Sequence, residues 1–284
     1  MKIAFNTWMY AAFPAWLPLR SLDDVIDLAA EMGFDGLEIG AAAPHAFPDY
    51  LDAARRKDIR ARLDGHGLEV SAMCPTMGGG AGYNPASPEA AERQAGSAYV
   101  GEVLRLAADI GCPTVIHLGG YRRLGQPYAE AWAYAVEGLQ NAAKAAREHG
   151  VKLAVEPTSA DSNLVEHAGD ALRIIEDAGV ADVAGVMLDT FHIYHRHDEV
   201  REAFAVAGDQ LTYVHLADLD RDPPGSHRDF TDVIEGLRAI GYDGWLSLEV
   251  GFNRRESHPD ALLRAGMAHI RGLVDQSATA SHKS

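Results

Sequence analysis

Short apolar runs rich in β-branched and aromatic residues recur along the chain, and each of them predicts a strand. Eight such runs begin near the following residues: Lys2, Asp35, Leu68, Thr114, Val151, Ala184, Leu211 and Gly244. Between most neighbouring runs, apolar residues recur at the spacing of a helix. The clearest helical pattern follows the capping residue Ser21, and it comprises Leu22, Val25, Ile26, Ala29 and Met32. Similar patterns lie near residues 98–106, 171–178, 233–240 and 262–270.

This alternation of strands and helices predicts an α/β fold, a (β/α)8 TIM barrel. Eight strand–helix units of about 35 residues each match the typical size of that fold. An open doubly wound sheet would show a glycine-rich nucleotide-binding turn after its first strand, whereas residues 6–10 read Asn-Thr-Trp-Met-Tyr. No linker or low-complexity segment divides the chain. We therefore expect one domain over residues 1–275 and a frayed, disordered tail over 276–284.

The charge balance and composition exclude several classes of protein. The chain has 41 Asp plus Glu against 25 Lys plus Arg, a net charge of −16, so we expect no nucleic-acid partner. No apolar stretch reaches the roughly 18 residues that a membrane span needs, and the N-terminus lacks the pattern of a signal peptide. Two cysteines, Cys74 and Cys112, are too few for a disulfide framework. These features predict a cytoplasmic protein with no membrane partner.

Each of the last four predicted strands ends in a residue able to bind a divalent cation. These residues are Glu156, Asp189, His215 and Glu249, which are 33, 26 and 34 positions apart, one in each strand–helix unit. The carboxyl ends of the strands in a TIM barrel form the rim that holds the active site. Three carboxylates and one imidazole suit Mn²⁺ first, and also Mg²⁺, Co²⁺ or Zn²⁺. Any single acid could instead cap the following helix, so the metal-site prediction depends on all four residues together.

Four further residues near the predicted rim are candidates for binding the substrate. His192 follows Asp189 by three residues and could bind a substrate hydroxyl or a second cation. His117 ends the fourth strand and could be a substrate ligand or a base. Arg221 follows the seventh strand and could hold a substrate oxygen or a carboxylate. Trp8 lies in an apolar first loop that could form a wall against the substrate or a neighbouring subunit. Each has a purely structural alternative, such as a neutral histidine at the rim or a surface arginine paired with an aspartate.

Five motifs resemble those of a known superfamily. They are Gly33–Ile39 (GFDGLEI), Val155–Pro157 (VEP), Leu188–His192 (LDTFH), Val214–Asp218 (VHLAD) and Gly241–Glu249 (GYDGWLSLE). Together they resemble the xylose isomerase-like TIM-barrel superfamily, and within it the sugar-phosphate isomerase/epimerase group that includes the ketose 3-epimerases. The resemblance extends from the first strand to the last and therefore covers nearly the whole chain.

The resemblance implies roles for the candidate residues. In ketose 3-epimerases two glutamates bind the metal and also act as the acid/base pair, and these would be Glu156 and Glu249 here. Asp189 and His215 would be the remaining metal ligands. The resemblance also implies a homo-oligomer, a dimer or a tetramer.

The segment after the first metal-binding glutamate departs from the family pattern. Ketose 3-epimerases carry a longer polar run with an arginine there, whereas residues 157–163 read Pro-Thr-Ser-Ala-Asp-Ser-Asn. Further along, the family's histidine after the metal-binding aspartate matches His192, and its arginine after the metal-binding histidine matches Arg221. Because of this departure, the sequence does not identify the sugar substrate, and a larger substrate such as an inosose or an oxidised glycoside is an alternative.

This set of residues suits proton transfer next to a carbonyl in a sugar or polyol-derived substrate. A cation polarises the carbonyl, one carboxylate removes the neighbouring carbon-bound proton, and a second carboxylate returns a proton. Delivery to the opposite face gives epimerisation, delivery to the adjacent carbon gives isomerisation, and loss of a leaving group gives elimination. We expect an epimerase or isomerase, with a lyase and a non-catalytic barrel subunit as alternatives. An endonuclease of the same superfamily is disfavoured by the charge of −16 and by Cys74, rather than a histidine, at the end of the third strand.

Overall fold

The computed structural model describes residues 1–11, 19–77, 82–251 and 258–281, and it shows eight parallel strands in a nearly closed barrel. The strands are β1 (Lys2–Phe5), β2 (Gly36–Gly40), β3 (Glu69–Cys74), β4 (Thr114–Leu118), β5 (Lys152–Glu156), β6 (Ala184–Asp189), β7 (Leu211–Leu216) and β8 (Trp245–Leu248). Each strand begins within one residue of the apolar run that predicted it. The prediction of a single-domain TIM barrel is therefore confirmed.

The ring of strands closes on itself at its first two members. β1 pairs with β8, and the pairing then continues strand by strand from β8 back to β2. Between β1 and β2, an isolated parallel bridge joins Asn6 to Glu38. The contact that completes the ring is therefore short.

Helices cover the outside of the barrel. They are α1 (Leu22–Met32), α2 (Ala53–His66), α3 (Ala90–Ile110), α4 (Tyr128–His149), α5 (Ala168–Ala178), α6 (Thr190–His195), α7 (Val200–Ala207), α8 (Thr231–Ala239) and α9 (Pro259–Ser281). As predicted, the Ser21 hydroxyl caps α1 by accepting a hydrogen bond from the backbone N–H of Asp24 at 3.1 Å. Helix α1 ends at Gly33, whose φ of 79° favours glycine.

The last helix extends beyond the predicted domain boundary. Helix α9 continues past Gln276, where the sequence predicts the tail to begin, and reaches Ser281. Residues 282–284 lie outside the described part of the chain, and the boundary at residue 275 stays a prediction. Within the described ranges, no helix is both long and apolar enough to cross a membrane.

Strand alternation decides which side chains face the inside of the barrel. The inner apolar cluster consists of Ala72, Cys74, Ile116, Ala154, Met187 and Tyr213. Side chains two positions apart in a strand share a face, so the residues two positions after the last three of these also face inward. Those residues are Glu156, Asp189 and His215. They form the next layer toward the carboxyl ends of the strands, where the active sites of TIM barrels lie.

Candidate metal centre

Four side chains from the last four strands meet at the carboxyl end of the barrel. Glu156, Asp189, His215 and Glu249 each offer one ligand atom, and these four atoms all lie within 4.8 Å of one another. All four residues are buried. The structure therefore brings together the complete set that the sequence predicted from one strand-end residue in each unit.

The cluster has the donors that a divalent cation requires. The Nδ1 atom of His215 lies 3.3 Å from a carboxylate oxygen of Glu249, 3.7 Å from Glu156 and 3.9 Å from Asp189. This nitrogen is buried and makes no hydrogen bond with any described residue. Three carboxylates around an unused imidazole nitrogen form an oxygen-rich ligand set. The residues present thus fit a bound cation of the Mn²⁺ or Mg²⁺ type.

Two buried residues that the sequence analysis did not single out lie directly behind the cluster. Glu38, on β2, accepts a hydrogen bond from Nε2 of His215 at 2.7 Å. Asn6, which follows β1, donates from its side-chain amide to Glu38 at 2.8 Å and to Glu249 at 3.1 Å. The one signal for Glu38 in the sequence is a charge inside the apolar segment Gly36–Gly40. Both residues hold metal-ligand candidates in place.

Arg221 supplies a positive charge at the edge of the cluster. Its Nη1 atom lies 2.5 Å from Asp189 and 2.6 Å from Glu249, and its guanidinium stacks on the ring of Phe191 at 4.1 Å. Burial disfavours the charged form, but the carboxylates of Asp189 and Glu249 outweigh burial and raise the pKa of Arg221. The backbone of Asp220 and Arg221 has φ values of 56° and 59°, a conformation that costs energy for residues with side chains. The turn thus stores strain while it directs this arginine into the cluster.

The two candidate acid/base residues have different electrostatic surroundings. Burial raises the pKa of Glu156 to about 7, helped by the neighbouring carboxylates of Glu249 and Asp189 and opposed by His215. Burial also acts on Glu249, but Arg221 and His215 outweigh it and lower the pKa of that carboxyl. One glutamate is therefore suited to carry a proton near neutral pH and the other to remain ionised.

His192 lies beside the cluster, as the sequence predicted. Its Nδ1 atom lies 3.2 Å from the backbone N–H of Ala160, and its Nε2 atom lies 3.4 Å from Nη2 of Arg221. That Nε2 atom lies 3.8 Å from Asp189 and 3.9 Å from Glu156. Burial and the Arg221 charge lower the pKa of His192, which keeps the ring neutral. A neutral ring at this position can contact a substrate oxygen.

His117 does not join the cluster. It pairs in register with Val155, whereas its neighbour Leu118 pairs with Glu156, so Leu118 faces the mouth of the barrel and His117 faces the helices. His117 is buried there, and neither ring nitrogen has a hydrogen-bond partner among the described residues. The expectation that His117 contacts the substrate does not agree with this orientation.

Trp8 lies at the barrel mouth and packs against the inner apolar cluster. Its indole ring fills space that Gly40 leaves open, because a Cβ on Gly40 would lie 1.7 Å from a ring carbon of Trp8. The predicted wall formed by the first loop continues into residues 12–18, which lie outside the described residues. The role of Trp8 beside the substrate stays a prediction.

Comparisons with known proteins place this geometry in context. The D-psicose 3-epimerase of Agrobacterium fabrum is 29% identical over 231 residues, which cover 79% of this chain and 77% of that protein. A probable endonuclease 4 of Methanoculleus marisnigri is 29% identical over 240 residues, which cover 79% of this chain and 82% of that protein. The crystal structure of a 3-keto-D-glucoside 4-epimerase from E. coli superposes with a TM-score of 0.79 at 22% identity, covering 97% of this chain and 99% of that one. This last likeness shows a shared fold.

The family match covers most of the chain and agrees with the architecture. A family model described as the xylose isomerase-like TIM barrel matches residues 26–273, a range that contains all four members of the cluster. Together with the eight-stranded barrel and the site at its carboxyl end, this match identifies the chain as a member of the xylose isomerase-like TIM-barrel family.

Proposed function

We propose that the protein is a divalent-metal-dependent sugar epimerase or isomerase that exchanges a proton at a carbon next to a carbonyl, as a ketose 3-epimerase does. The observation that carries this proposal is the pair Glu156 and Glu249, which lie in one buried cluster with Asp189 and His215. The likeness to the D-psicose 3-epimerase of Agrobacterium fabrum supports the same class of reaction.

Glu156, Asp189, His215 and Glu249 would hold the metal, and we propose Mn²⁺ as the ion. When bound, the cation would supply polarisation of the substrate carbonyl and its neighbouring hydroxyl, which makes the intervening C–H more acidic. The sugar would thus have to bind directly over the cluster.

The two glutamates would move the protons. Glu249, which Arg221 keeps ionised, would accept the carbon-bound proton from one face of the substrate. Glu156, the second glutamate of the cluster, would return a proton to the opposite face of the substrate. The roles exchange in the reverse direction, so the pair would serve both epimers.

Three other side chains would orient the sugar. His192 would contact a substrate hydroxyl, since its Nε2 atom lies 3.9 Å from Glu156 and 3.8 Å from Asp189. Arg221, whose Nη2 atom lies 3.4 Å from Nε2 of His192, would bind a neighbouring substrate oxygen. Trp8 would supply an apolar surface for the carbon skeleton at the barrel mouth.

Solvent-deuterium exchange tests the reaction. The Mn²⁺-loaded protein is incubated in D₂O with a panel of ketoses that includes D-psicose, and the products are analysed by NMR and mass spectrometry. We expect a C3 epimer that carries one deuterium at C3, and we expect neither Glu156→Gln nor Glu249→Gln to form it. The matched control is Glu69→Gln, which replaces an exposed strand glutamate paired with Lys2.

The same experiment separates the alternatives. Loss of one water from an inosose or a keto-glycoside, without epimer formation, would indicate the lyase. Tight metal binding with no exchange into any sugar would indicate a non-catalytic barrel subunit. The likeness to a probable endonuclease 4 motivates one further assay, and incision of abasic duplex DNA would replace this proposal by a nuclease. The net charge of −16 opposes that outcome because DNA would be repelled.

The cytoplasmic location and the dimeric or tetrameric state stay predictions.

A further inference from the structure

Glu38 is an ionisable side chain in the barrel interior, one layer behind the proposed metal ligands. It has no exposed surface. One carboxylate oxygen accepts a hydrogen bond from the amide of Asn6 at 2.8 Å. The other accepts from the hydroxyl of Tyr213 at 3.1 Å and from Nε2 of His215 at 2.7 Å. A buried carboxylate is costly unless donors surround it, and these three donors account for its presence.

The contact between Glu38 and His215 decides which ring nitrogen of the histidine is available to a cation. Because a carboxylate only accepts hydrogen bonds, Nε2 of His215 must carry a proton and is blocked as a ligand. The remaining nitrogen, Nδ1, faces Glu156, Asp189 and Glu249 and has no hydrogen-bond partner among the described residues. Asn6 extends the arrangement, since the same amide that holds Glu38 also donates to Glu249.

We infer that Glu38 is a positioning residue that fixes the ring orientation and proton location of His215, so that Nδ1 is presented to the metal. The inference rests on the proposed function, because it concerns the metal site of that reaction. Carboxylates behind a ligating histidine commonly raise metal affinity about 10- to 100-fold. No contact between Glu38 and the substrate is required.

A glutamine at position 38 keeps the size of the side chain and removes one acceptor. If its oxygen accepts from Asn6, its NH₂ group faces Nε2 of His215 and favours the tautomer with the proton on Nδ1, where the metal should bind. If its oxygen accepts from His215, its NH₂ group faces the side-chain NH₂ group of Asn6, and neither can accept a hydrogen bond. Asn6 is then displaced, and its hydrogen bond to Glu249 weakens. Both arrangements lower metal affinity.

The test is the Mn²⁺ dissociation constant of the metal-stripped protein, measured by electron paramagnetic resonance of the free ion. We expect a 10- to 100-fold larger constant for Glu38→Gln and an intermediate value for Glu38→Asp, which keeps the charge but lengthens the contact. Tyr213→Phe removes one donor to Glu38 and keeps the ring that packs edge-on against His215, and Glu69→Gln changes an exposed strand glutamate. Both controls should remain within about threefold of the parent protein.

The outcomes separate this inference from the proposed function. A Glu38→Gln constant within twofold of the parent value overturns the inference and leaves the metal site intact. If Glu38→Gln does not fold, the same criterion applies to Glu38→Asp, whose circular dichroism spectrum must match that of the parent. Failure of the parent protein to bind Mn²⁺ would instead overturn the proposed function. An equal loss of affinity in Tyr213→Phe would also overturn the inference, because the effect would then follow from any disturbance of the barrel interior.

Discussion

Replacing His117 by leucine should remove a pH-dependent loss of stability. His117 is buried between β4 and the helices, without a hydrogen-bond partner among the described residues. Burial lowers its pKa from 6.5 to about 4. Because the folded-state pKa lies below the unfolded-state value, the unfolded chain binds a proton between these two pH values and the folded chain does not. The stability associated with the neutral ring is therefore present above pH 6.5 and is lost as the pH falls toward 4.

The size of this effect follows from the shift. Each pKa unit corresponds to about 1.4 kcal/mol, so the full shift is worth about 3 kcal/mol, of which about 2 kcal/mol is lost at pH 5. Leucine has a similar volume and no polar atoms. At pH 7.5 the variant should therefore equal the parent protein or exceed it by about 1 to 3 kcal/mol, the cost of an unsatisfied buried polar group.

Urea unfolding at pH 7.5, 6 and 5 measures the difference between His117→Leu and the parent protein. This difference should grow in favour of the variant by about 2 kcal/mol from pH 7.5 to pH 5. The control is His195→Leu, which removes an exposed histidine, and its difference from the parent should change far less. Equal pH profiles for His117→Leu and the parent would refute the reasoning, because they would mean that the buried ring takes up its proton without penalty.

Three further predictions concern the site. Glu156→Gln and Glu249→Gln should each lower solvent-deuterium exchange into the ketose by at least about 100-fold, measured by mass spectrometry, and exchange at the parent rate would contradict their roles as acid and base. Arg221→Met should destabilise the metal-free protein by about 3 kcal/mol, because Asp189 and Glu249 lose their buried cationic partner, and Mn²⁺ should restore much of the loss. Calorimetry of both forms checks this, and an unchanged melting temperature without metal would count against it. Addition of Mn²⁺ at 100 times its dissociation constant should raise the free energy of unfolding by about 2.7 kcal/mol, and EDTA should reverse the gain; equal melting curves with and without Mn²⁺ would contradict the metal site.

The strands and the four-residue cluster were predictable because each depends on a local pattern. Each strand was predicted from its own apolar run. The last four strands each end in one ligand candidate, and closing the barrel brings these four residues together. The orientation of His117 was not predictable in this way. The run Val115–His117 is buried on both faces of the sheet, so no alternation of polar and apolar residues fixes which side chains point inward. The pairing of Leu118 with Glu156 shows that Leu118 faces inward and His117 faces the helices.

The supporting residues were missed for a different physical reason. Glu38 contacts Asn6 and His215, which lie 32 and 177 positions away in the sequence. A single charge in an apolar strand indicates that some partner must exist, because a buried charge needs one. It does not indicate which partner, since only the closed ring of strands brings these segments together.

The short contact between β1 and β2 closes the barrel and also joins two residues that support the proposed metal site. The isolated bridge there joins Asn6 to Glu38, and the same two side chains reach Glu249 and His215 across the interior. If β1 and β2 were separated, all four ligand candidates would still lie at the ends of β5 to β8. Glu249 and His215 would then lack the contacts with Asn6 and Glu38 that orient them. Closure of the ring between β1 and β2 is therefore also what completes the proposed metal site.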